Sequence, residues 1–162
     1  MKRLFTILAT ALICCAGNQA KVKAETMDKE INLVQDWDKT FPESGKVNHE
    51  KVTFKTQYGL TLAADLYIPK NAEGKLPAIA VSGPYGAVKE QCSGLYAQTM
   101  AERGFITIAF DPSFTGESSG EPRRTASPDI NTEDFLAAVD YLSMRDDVDA
   151  GRIAIIGICG WG

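Results

Sequence analysis

The stretch Ile153-Ala154-Ile155-Ile156-Gly157-Ile158-Cys159-Gly160-Trp161-Gly162 decides the fold, because it joins an apolar strand to a glycine-rich turn. Its first four residues are continuously apolar, which is typical of a strand covered on both faces. The glycines around Cys159 predict a turn too tight for larger neighbours. Such a turn lifts its central side chain above the carboxyl edge of a parallel sheet, where α/β proteins bind ligands. Cys159 is therefore the predicted nucleophile.

The turn offers groups for acyl transfer, and it also admits other interpretations. The sulfur of Cys159 would attack an acyl carbon, and the backbone N–H of Gly160 would donate to the resulting oxyanion. One alternative is a buried structural thiol. A second is a dinucleotide-binding unit whose phosphate turn uses Gly157, Gly160 and Gly162. A third is a non-catalytic exported domain in which Cys92 pairs with Cys159.

Four further strands are predicted upstream of this turn. Val47–Lys55 and Leu60–Ile68 alternate between apolar and polar residues, which predicts a hairpin of half-buried strands. The runs Ala78–Val81 and Phe105–Phe110 are continuously apolar, which predicts strands buried on both faces.

Two helical windows separate the last three strands. Leu95, Met100 and Ala101 lie in the first window, which ends at Gly104. The second is predicted to begin at Thr132, whose hydroxyl suits a helix start, and to bury an apolar face of Phe135, Leu136, Val139 and Leu142. A hairpin followed by strand, helix, strand, helix and strand predicts an α/β fold with a parallel sheet.

The loop Ser82-Gly83-Pro84-Tyr85-Gly86 follows the third strand, at the place where a second oxyanion donor is expected. Pro84 has no N–H, so the predicted donor is Tyr85, with Gly86 as the alternative. The same run would also serve as an ordinary turn.

The run Gly116-Glu117-Ser118-Ser119-Gly120 matches the serine form of the nucleophile motif letter for letter. It lies between Asp111-Pro112 and Glu121-Pro122, in a turn-rich segment with no helix directly after it. We therefore reject it as a nucleophile turn and expect Ser118 and Ser119 to shape a loop near the site, or simply to solvate it.

A base for the nucleophile is missing from the sequence. A thiol nucleophile is normally served by a histidine that a carboxylate orients, and His49 is the only histidine. His49 precedes the nucleophile, as do Asp111 and Asp140, whereas the expected acid and base follow it in chain order. We expect His49 to be a surface residue.

Several of these motifs, in this order, resemble the dienelactone-hydrolase-like α/β-hydrolases. The resemblance is carried by Lys51–Phe54, Leu62–Pro69, Gly86–Gln91, Phe110–Arg123 and Gly157–Gly160. It implies the N-terminal half of an α/β-hydrolase fold without the C-terminal strands, and a hydrolase of ester, thioester or lactone bonds. The nucleophile would be Cys159 and the oxyanion donors Gly160 and Tyr85, whereas the family's acid and base have no matching positions here.

The ends and the composition predict the protein's location and partners. Residues 1–24 have the charged start, apolar centre and polar exit of a signal peptide. A lead-in segment, 25–45, and a truncated hydrolase domain, 46–162, would follow. Lipidation at Cys14 or Cys15 is less favoured, because neither follows a small residue. The net charge of −4 favours neither nucleic acid nor a membrane surface.

The expected ligand is a small acyl substrate, and no metal or organic cofactor is implied. The oligomeric state is left open. The last strand is expected at an unpaired sheet edge, so the 162-residue chain should be poorly soluble and inactive alone.

Overall fold

A computed structural model describes residues 31–34 and 36–162. The predicted signal peptide and the first residues of the lead-in segment lie outside the described residues. The elements in chain order are β1 Val47–Lys55, β2 Thr61–Pro69, β3 Leu76–Ser82, α1 Cys92–Ala101, β4 Ile106–Phe110, α2 Pro128–Ser143, β5 Val148–Gly157 and a short 3₁₀ turn, Cys159–Trp161.

The strands form one mixed sheet in the order β1-β2-β4-β3-β5. The pairs β1–β2 and β2–β4 are antiparallel, and β3 pairs in parallel with both β4 and β5. Ala80, at the centre of β3, lies between Ile108 and Ile155. Because β3, β4 and β5 run in parallel and α1 and α2 connect them, the predicted α/β class is confirmed.

The prediction that β2 is half-buried is wrong, since its residues 62–67 are buried without alternation. Leu62 and Leu66 face the apolar core that Phe135 and Leu142 of α2 complete. Tyr67 packs on the opposite face, in the core beneath α1. The polar residue Asp65 of β2 is covered by the lead-in segment instead of water, since the Lys39 ammonium lies 3.0 Å from its buried carboxylate.

The second helix begins four residues earlier than predicted, at Pro128, with Ser127 as the preceding residue. Proline suits the first turn of a helix, where its missing N–H costs nothing. Thr132 therefore lies inside the helix, and its hydroxyl donates to the carbonyl oxygen of Pro128 at 2.7 Å. Leu136 is 53% exposed, so the prediction that it lies on the buried apolar face of this helix is wrong.

The lead-in segment packs against the sheet through aromatic side chains. Phe41 is buried, and its ring lies edge-on to Trp37 with the ring centres 5.7 Å apart. The indole N–H of Trp37 donates to the carbonyl oxygen of Phe41 at 2.8 Å. No helix within the described ranges is both long and apolar enough to cross a membrane.

A candidate active site at the turn after strand β5

The turn after β5 holds Cys159 in an unusual backbone conformation. The backbone N–H of Ile158 donates to the carbonyl oxygen of Ser82 at 3.1 Å, which extends the strand pairing up to the turn. Cys159 follows with a φ of 60°, in the left-handed region that side-chain-bearing residues rarely adopt. A side chain at Gly157 would overlap the carbonyl oxygen of Trp161, so only glycine fits there. The predicted tight turn is present.

The Cys159 thiol is exposed and free, and so the buried structural thiol considered above does not describe it. Cys92 is also free, and its thiol donates to the carbonyl oxygen of Gly83 at 3.5 Å. The alternative in which these two cysteines form a disulfide does not describe the structure.

The loop after β3 lies directly against this turn. A side chain at Gly83 would overlap the carbonyl oxygen of Ile158, and one at Gly160 would overlap the ring of Tyr85. Within the part of the chain that the structure describes, the backbone N–H groups of Tyr85 and Gly160 donate to no other residue. The arrangement therefore brings two uncommitted donors from different loops next to the turn that carries Cys159.

Trp161 packs against aromatic residues on both sides of the turn. Its ring lies 4.8 Å from the Tyr85 ring and 5.9 Å from the Phe135 ring, measured between centres. The second contact ties the turn to helix α2. Trp161 is thus accommodated in the turn by packing against the core, and Gly162 completes the turn with a hydrogen bond from its N–H to the carbonyl oxygen of Cys159 at 3.1 Å.

A cavity of about 670 Å³ opens beside Tyr85 and Trp161. Apolar and aromatic side chains make up part of its wall, and two arginines supply its charge. The lining comes from the loops after β3 and β4 and from the start of α2; its main side chains are Tyr85, Val88, Phe114, Arg123, Arg124, Asn131 and Trp161. This volume is within the range of small-molecule sites.

The loop after β4, which forms much of this wall, is held by internal hydrogen bonds. The Arg123 guanidinium donates to the carbonyl oxygens of Gly116, at 2.6 Å, and of Ser118 and Gly120. The Ser118 hydroxyl donates to the carbonyl oxygen of Asp111 at 2.7 Å and accepts from the N–H of Ala63 at 2.9 Å. The expectation that this serine shapes a loop is confirmed.

A buried lysine links the two loops that flank the turn. The Lys89 ammonium contacts the carboxylates of Asp111 at 2.9 Å, Glu117 at 2.6 Å and Glu90 at 2.5 Å. Burial alone would lower the pKa of Lys89, but the three carboxylates outweigh it and raise that pKa. The same carboxylates lie close enough together to hold a cation, and the ammonium occupies that position. The link leaves no local sequence signal, because Asp111 and Glu117 lie 22 and 28 residues from Lys89 in the chain.

The prediction that His49 is a surface residue is wrong. Its side chain is 15% exposed, its Nε2 lies 2.9 Å from a carboxylate oxygen of Asp65, and its ring packs against Trp37 and Tyr67. The lead-in segment covers it, which periodicity in β1 could not reveal. Strand β1 is four strand spacings from β5, or about 19 Å. His49 is therefore too distant to serve Cys159 as a base.

Comparisons with known proteins agree with this geometry. The sequence profile of the X-Pro dipeptidyl-peptidase (S15 family) matches residues 59–160. Over 96% of its length the chain is 61% identical to PA2218, an uncharacterized protein of Pseudomonas aeruginosa, of which it covers 44%. It is also 33% identical to the thiohydrolase aneE of Aspergillus aculeatus, over 70% of this chain and 36% of that protein. The chain thus spans less than half the length of these relatives.

Solved structures identify the fold. The crystal structure of PA2218 from Pseudomonas aeruginosa matches 81% of this chain and 41% of its own, with a TM-score of 0.79 and 69% identity. The dienelactone-hydrolase-like phosphotriesterase P91, from metagenomic libraries, matches 72% of this chain and 51% of its own with a TM-score of 0.56; at 21% identity it shows the fold alone. The described residues have the architecture of the N-terminal half of an α/β-hydrolase.

Proposed function

Because the chain belongs to the X-Pro dipeptidyl-peptidase (S15) family of hydrolases, we propose that it supplies the nucleophile and the oxyanion donors of an exported enzyme that hydrolyses acyl bonds. One observation carries this proposal: the exposed Cys159 lies in a left-handed turn directly after β5. Such a conformation presents a side chain at the carboxyl edge of the sheet, where substrates of α/β proteins bind.

The proposed chemistry is acyl transfer to sulfur. The Cys159 thiolate adds to the substrate carbonyl, and the carbonyl oxygen becomes an oxyanion that accepts from the N–H groups of Gly160 and Tyr85. Collapse of this intermediate breaks the bond to the leaving group, which departs with the electron pair and takes up a proton. Water then releases the acid and restores the thiol.

The proposed substrates are esters, thioesters or lactones with a small to medium acyl group. The cavity beside Tyr85 and Trp161 has room for such a group, and Val88 and Phe114 give part of its wall an apolar character. Thioesters are supported by the relative named as a thiohydrolase.

We propose that Cys159 of the 162-residue chain is acylated once and that the acyl-enzyme is then hydrolysed slowly. The sequence holds one histidine, His49, and it is placed across the sheet from Cys159. A thiol reacts without a base through the thiolate present at neutral pH, whereas hydrolysis of the acyl-enzyme needs an activated water. A burst of product followed by a slow steady rate is the expected kinetic signature.

The test is reaction of the chain with 4-nitrophenyl acetate, followed by release of 4-nitrophenolate and by mass spectrometry of peptides. The expected result is about one equivalent of rapid release, as in acyl-enzyme accumulation, with one acetyl group on Cys159. Cys159→Ser and Cys92→Ser are the matched variants: the first should abolish the burst, and the second should retain it. A burst that survives Cys159→Ser would overturn the proposal.

A second candidate is a peptidase that cleaves after proline, which the description of the matching family favours. Acetylation of Cys159 and cleavage of an Xaa-Pro 4-nitroanilide distinguish the two candidates. Release of 4-nitroaniline at a rate exceeding ester turnover would favour the peptidase.

A further inference from the structure

The tip of the loop that carries Tyr85 is held on one side, where the Tyr85 ring lies 4.8 Å from the Trp161 ring between centres. Tyr85 is 50% exposed, and no atom lies within 4 Å of the position that a side chain at Gly86 would take. A single turn bond, from the N–H of Ala87 to the carbonyl oxygen of Pro84 at 3.0 Å, closes the tip. Besides this ring contact, the position of the Tyr85 N–H depends on how the two ends of the loop are held.

The first end is held by the sheet and by the nucleophile turn. Ser82 is the last residue of β3, and its hydroxyl donates to the carbonyl oxygen of Phe110 at 3.2 Å. Gly83 fits against Ile158 so closely that a side chain there would overlap the backbone. This end cannot shift without moving the turn itself.

The second end is held by Lys89. Its backbone N–H donates to one oxygen of the Asp111 carboxylate at 2.7 Å, and its ammonium contacts the other oxygen at 2.9 Å. The Lys89 side chain and that carboxylate are fully buried. Asp111 immediately follows β4 and also accepts from the N–H of Glu117 at 2.9 Å. One carboxylate thus fixes the end of the Tyr85 loop relative to a strand of the sheet.

Charge compensation makes this attachment specific for lysine. The ammonium reaches Asp111, Glu117 and Glu90 together, whereas Lys51 contacts only Glu117 and Glu90 of these three. A neutral side chain at residue 89 would therefore leave the buried Asp111 carboxylate without a cation among the described residues. The carbonyl oxygen of Lys89 also lies where a side chain at Gly94 of α1 would be, so the loop backbone lies close against the helix. The loop has little freedom while Lys89 is in place.

Given the proposed function, on which this inference rests, we propose that Lys89 is a positioning residue for oxyanion stabilisation. It holds the loop end so that the Tyr85 N–H meets the oxyanion that forms when Cys159 attacks a carbonyl. Lys89 touches neither the substrate nor the sulfur. It acts through the loop, four residues away from the donor.

Two reactions of the Cys159 sulfur distinguish a loss of oxyanion positioning from a general disturbance of the site. Acylation by 4-nitrophenyl acetate passes through an oxyanion, whereas alkylation by iodoacetamide displaces iodide and forms none. Lys89→Met should lower the acylation rate of Cys159 by about 10- to 100-fold, as small misplacements of catalytic groups do. The alkylation rate should stay within about twofold of the original, because an exposed thiol needs no oxyanion donor for that reaction.

Lys39→Met is the matched control variant. Lys39 is equally buried and contacts two carboxylates, those of Asp38 at 2.8 Å and Asp65 at 3.0 Å, but it lies in the lead-in segment and not in the Tyr85 loop. Both rates should be unchanged by this substitution. A matching loss of acylation in Lys39→Met would show that any buried lysine has the same effect and would overturn the inference.

Lys89→Met is a folding risk, so a charge-balanced variant accompanies it. Lys89→Met combined with Glu117→Gln removes one charge of each sign from the cluster, and Lys89→Arg retains the cation. The double variant should still show the selective loss of acylation, and Lys89→Arg should restore part of it. Circular dichroism identifies the folded variants.

The outcomes distinguish this inference from the proposed function. If the unaltered chain shows no acetylation of Cys159, the proposed function fails. If the unaltered chain is acetylated and the folded double variant acylates at the same rate, only the role of Lys89 is wrong. Equal losses of acylation and alkylation would also overturn that role, because they indicate a disturbed turn.

Discussion

Cys159 shows how single residues set the chemistry of this site. Its left-handed φ of 60° costs about 1 to 2 kcal/mol for a residue with a side chain. The backbone bonds of Ile158 and Gly162 and the stacking of Trp161 on Tyr85 hold it there. The proposed nucleophile is thus exposed in a strained backbone conformation that its neighbours stabilise.

Gly157→Ala tests how tightly this turn is built. A methyl group at residue 157 would overlap the carbonyl oxygen of Trp161, so we expect the free energy of unfolding to fall by about 1 to 3 kcal/mol. Urea denaturation followed by circular dichroism measures it. Gly45→Ala is the control, since no atom lies within 4 Å of its added methyl group. Equal stabilities of the two variants would contradict the packing described here.

The carboxyl group of Asp38, in the lead-in segment, makes a contribution to the stability of the fold that depends on pH. Burial opposes ionisation, but hydrogen bonds from Lys39 and Lys51 outweigh it and lower the pKa of Asp38 from 3.8 to about 2. A carboxyl whose pKa is lower in the folded protein stabilises the fold above its unfolded pKa and loses that contribution as the pH falls. The stabilising contribution of Asp38 should therefore be lost between about pH 4 and pH 2.

The measurement is the difference in unfolding free energy between the unaltered chain and Asp38→Asn as a function of pH. The difference should be constant above about pH 4 and shrink toward pH 2. Asp36→Asn is the control, because no ion pair of Asp36 is found among the residues that the structure describes. A difference for Asp38→Asn that is flat across this range would contradict the assignment.

At the scale of elements, helix α2 anchors the loop after β4 through one carboxylate. Asp134 is buried and accepts from the hydroxyl and the N–H of Ser113, at 2.6 and 2.9 Å, and from the amide of Asn131 at 3.1 Å. Burial raises the pKa of Asp134, and the three hydrogen bonds oppose that effect. The loop that lines the cavity is thus fixed to the helix at its start.

Asp134→Ala should leave three buried donors without an acceptor. We expect a loss of about 2 to 4 kcal/mol in the free energy of unfolding, as for other unpaired buried polar groups. Asp140→Ala, on the exposed side of the same helix, should change stability by less than about 0.5 kcal/mol. Denaturant titration measures the free energy of unfolding of both variants. A small effect of Asp134→Ala would show that water replaces the carboxylate.

At the scale of the whole molecule, strand β5 is the feature that we expect to govern association with other chains. It lies at one edge of the sheet, beside β3, and no strand among the described residues pairs with its other side. Ile155 is 51% exposed on this strand. An exposed apolar edge strand is a template for association with another chain.

We expect the 162-residue chain to associate through this edge. Ile155→Lys should raise solubility and shift sedimentation velocity profiles toward the monomer, because a charged edge discourages strand pairing. Met144→Lys is the control: Met144 is 77% exposed but lies after α2, away from the sheet edge. If both variants reduce association equally, net charge and not the edge is responsible.

The strands and helices were largely predictable from local patterns. The apolar runs ending at Val81 and Phe110 are buried in strands β3 and β4, because continuous burial leaves a continuous apolar sequence. The run ending at Ile156 also forms a strand, but the prediction that both of its faces are covered is wrong among the described residues, since Ala154 and Ile155 are exposed. The misplaced start of α2 and the buried second face of β2 depended on partners far away in the chain. Local periodicity reports how a residue faces its neighbours in sequence, and not what later covers it.

The candidate site likewise combines features that the sequence predicts with features that depend on tertiary contacts. The sequence by itself determined the α/β class and the glycine turn around Cys159, because a tight turn restricts its own residues to small side chains. Only the tertiary structure decided that Lys89 joins Asp111 and Glu117 and that His49 lies beneath the lead-in segment. Ion pairs and aromatic contacts across many residues leave no periodic signal, since they depend on the distances between loops that folding alone creates.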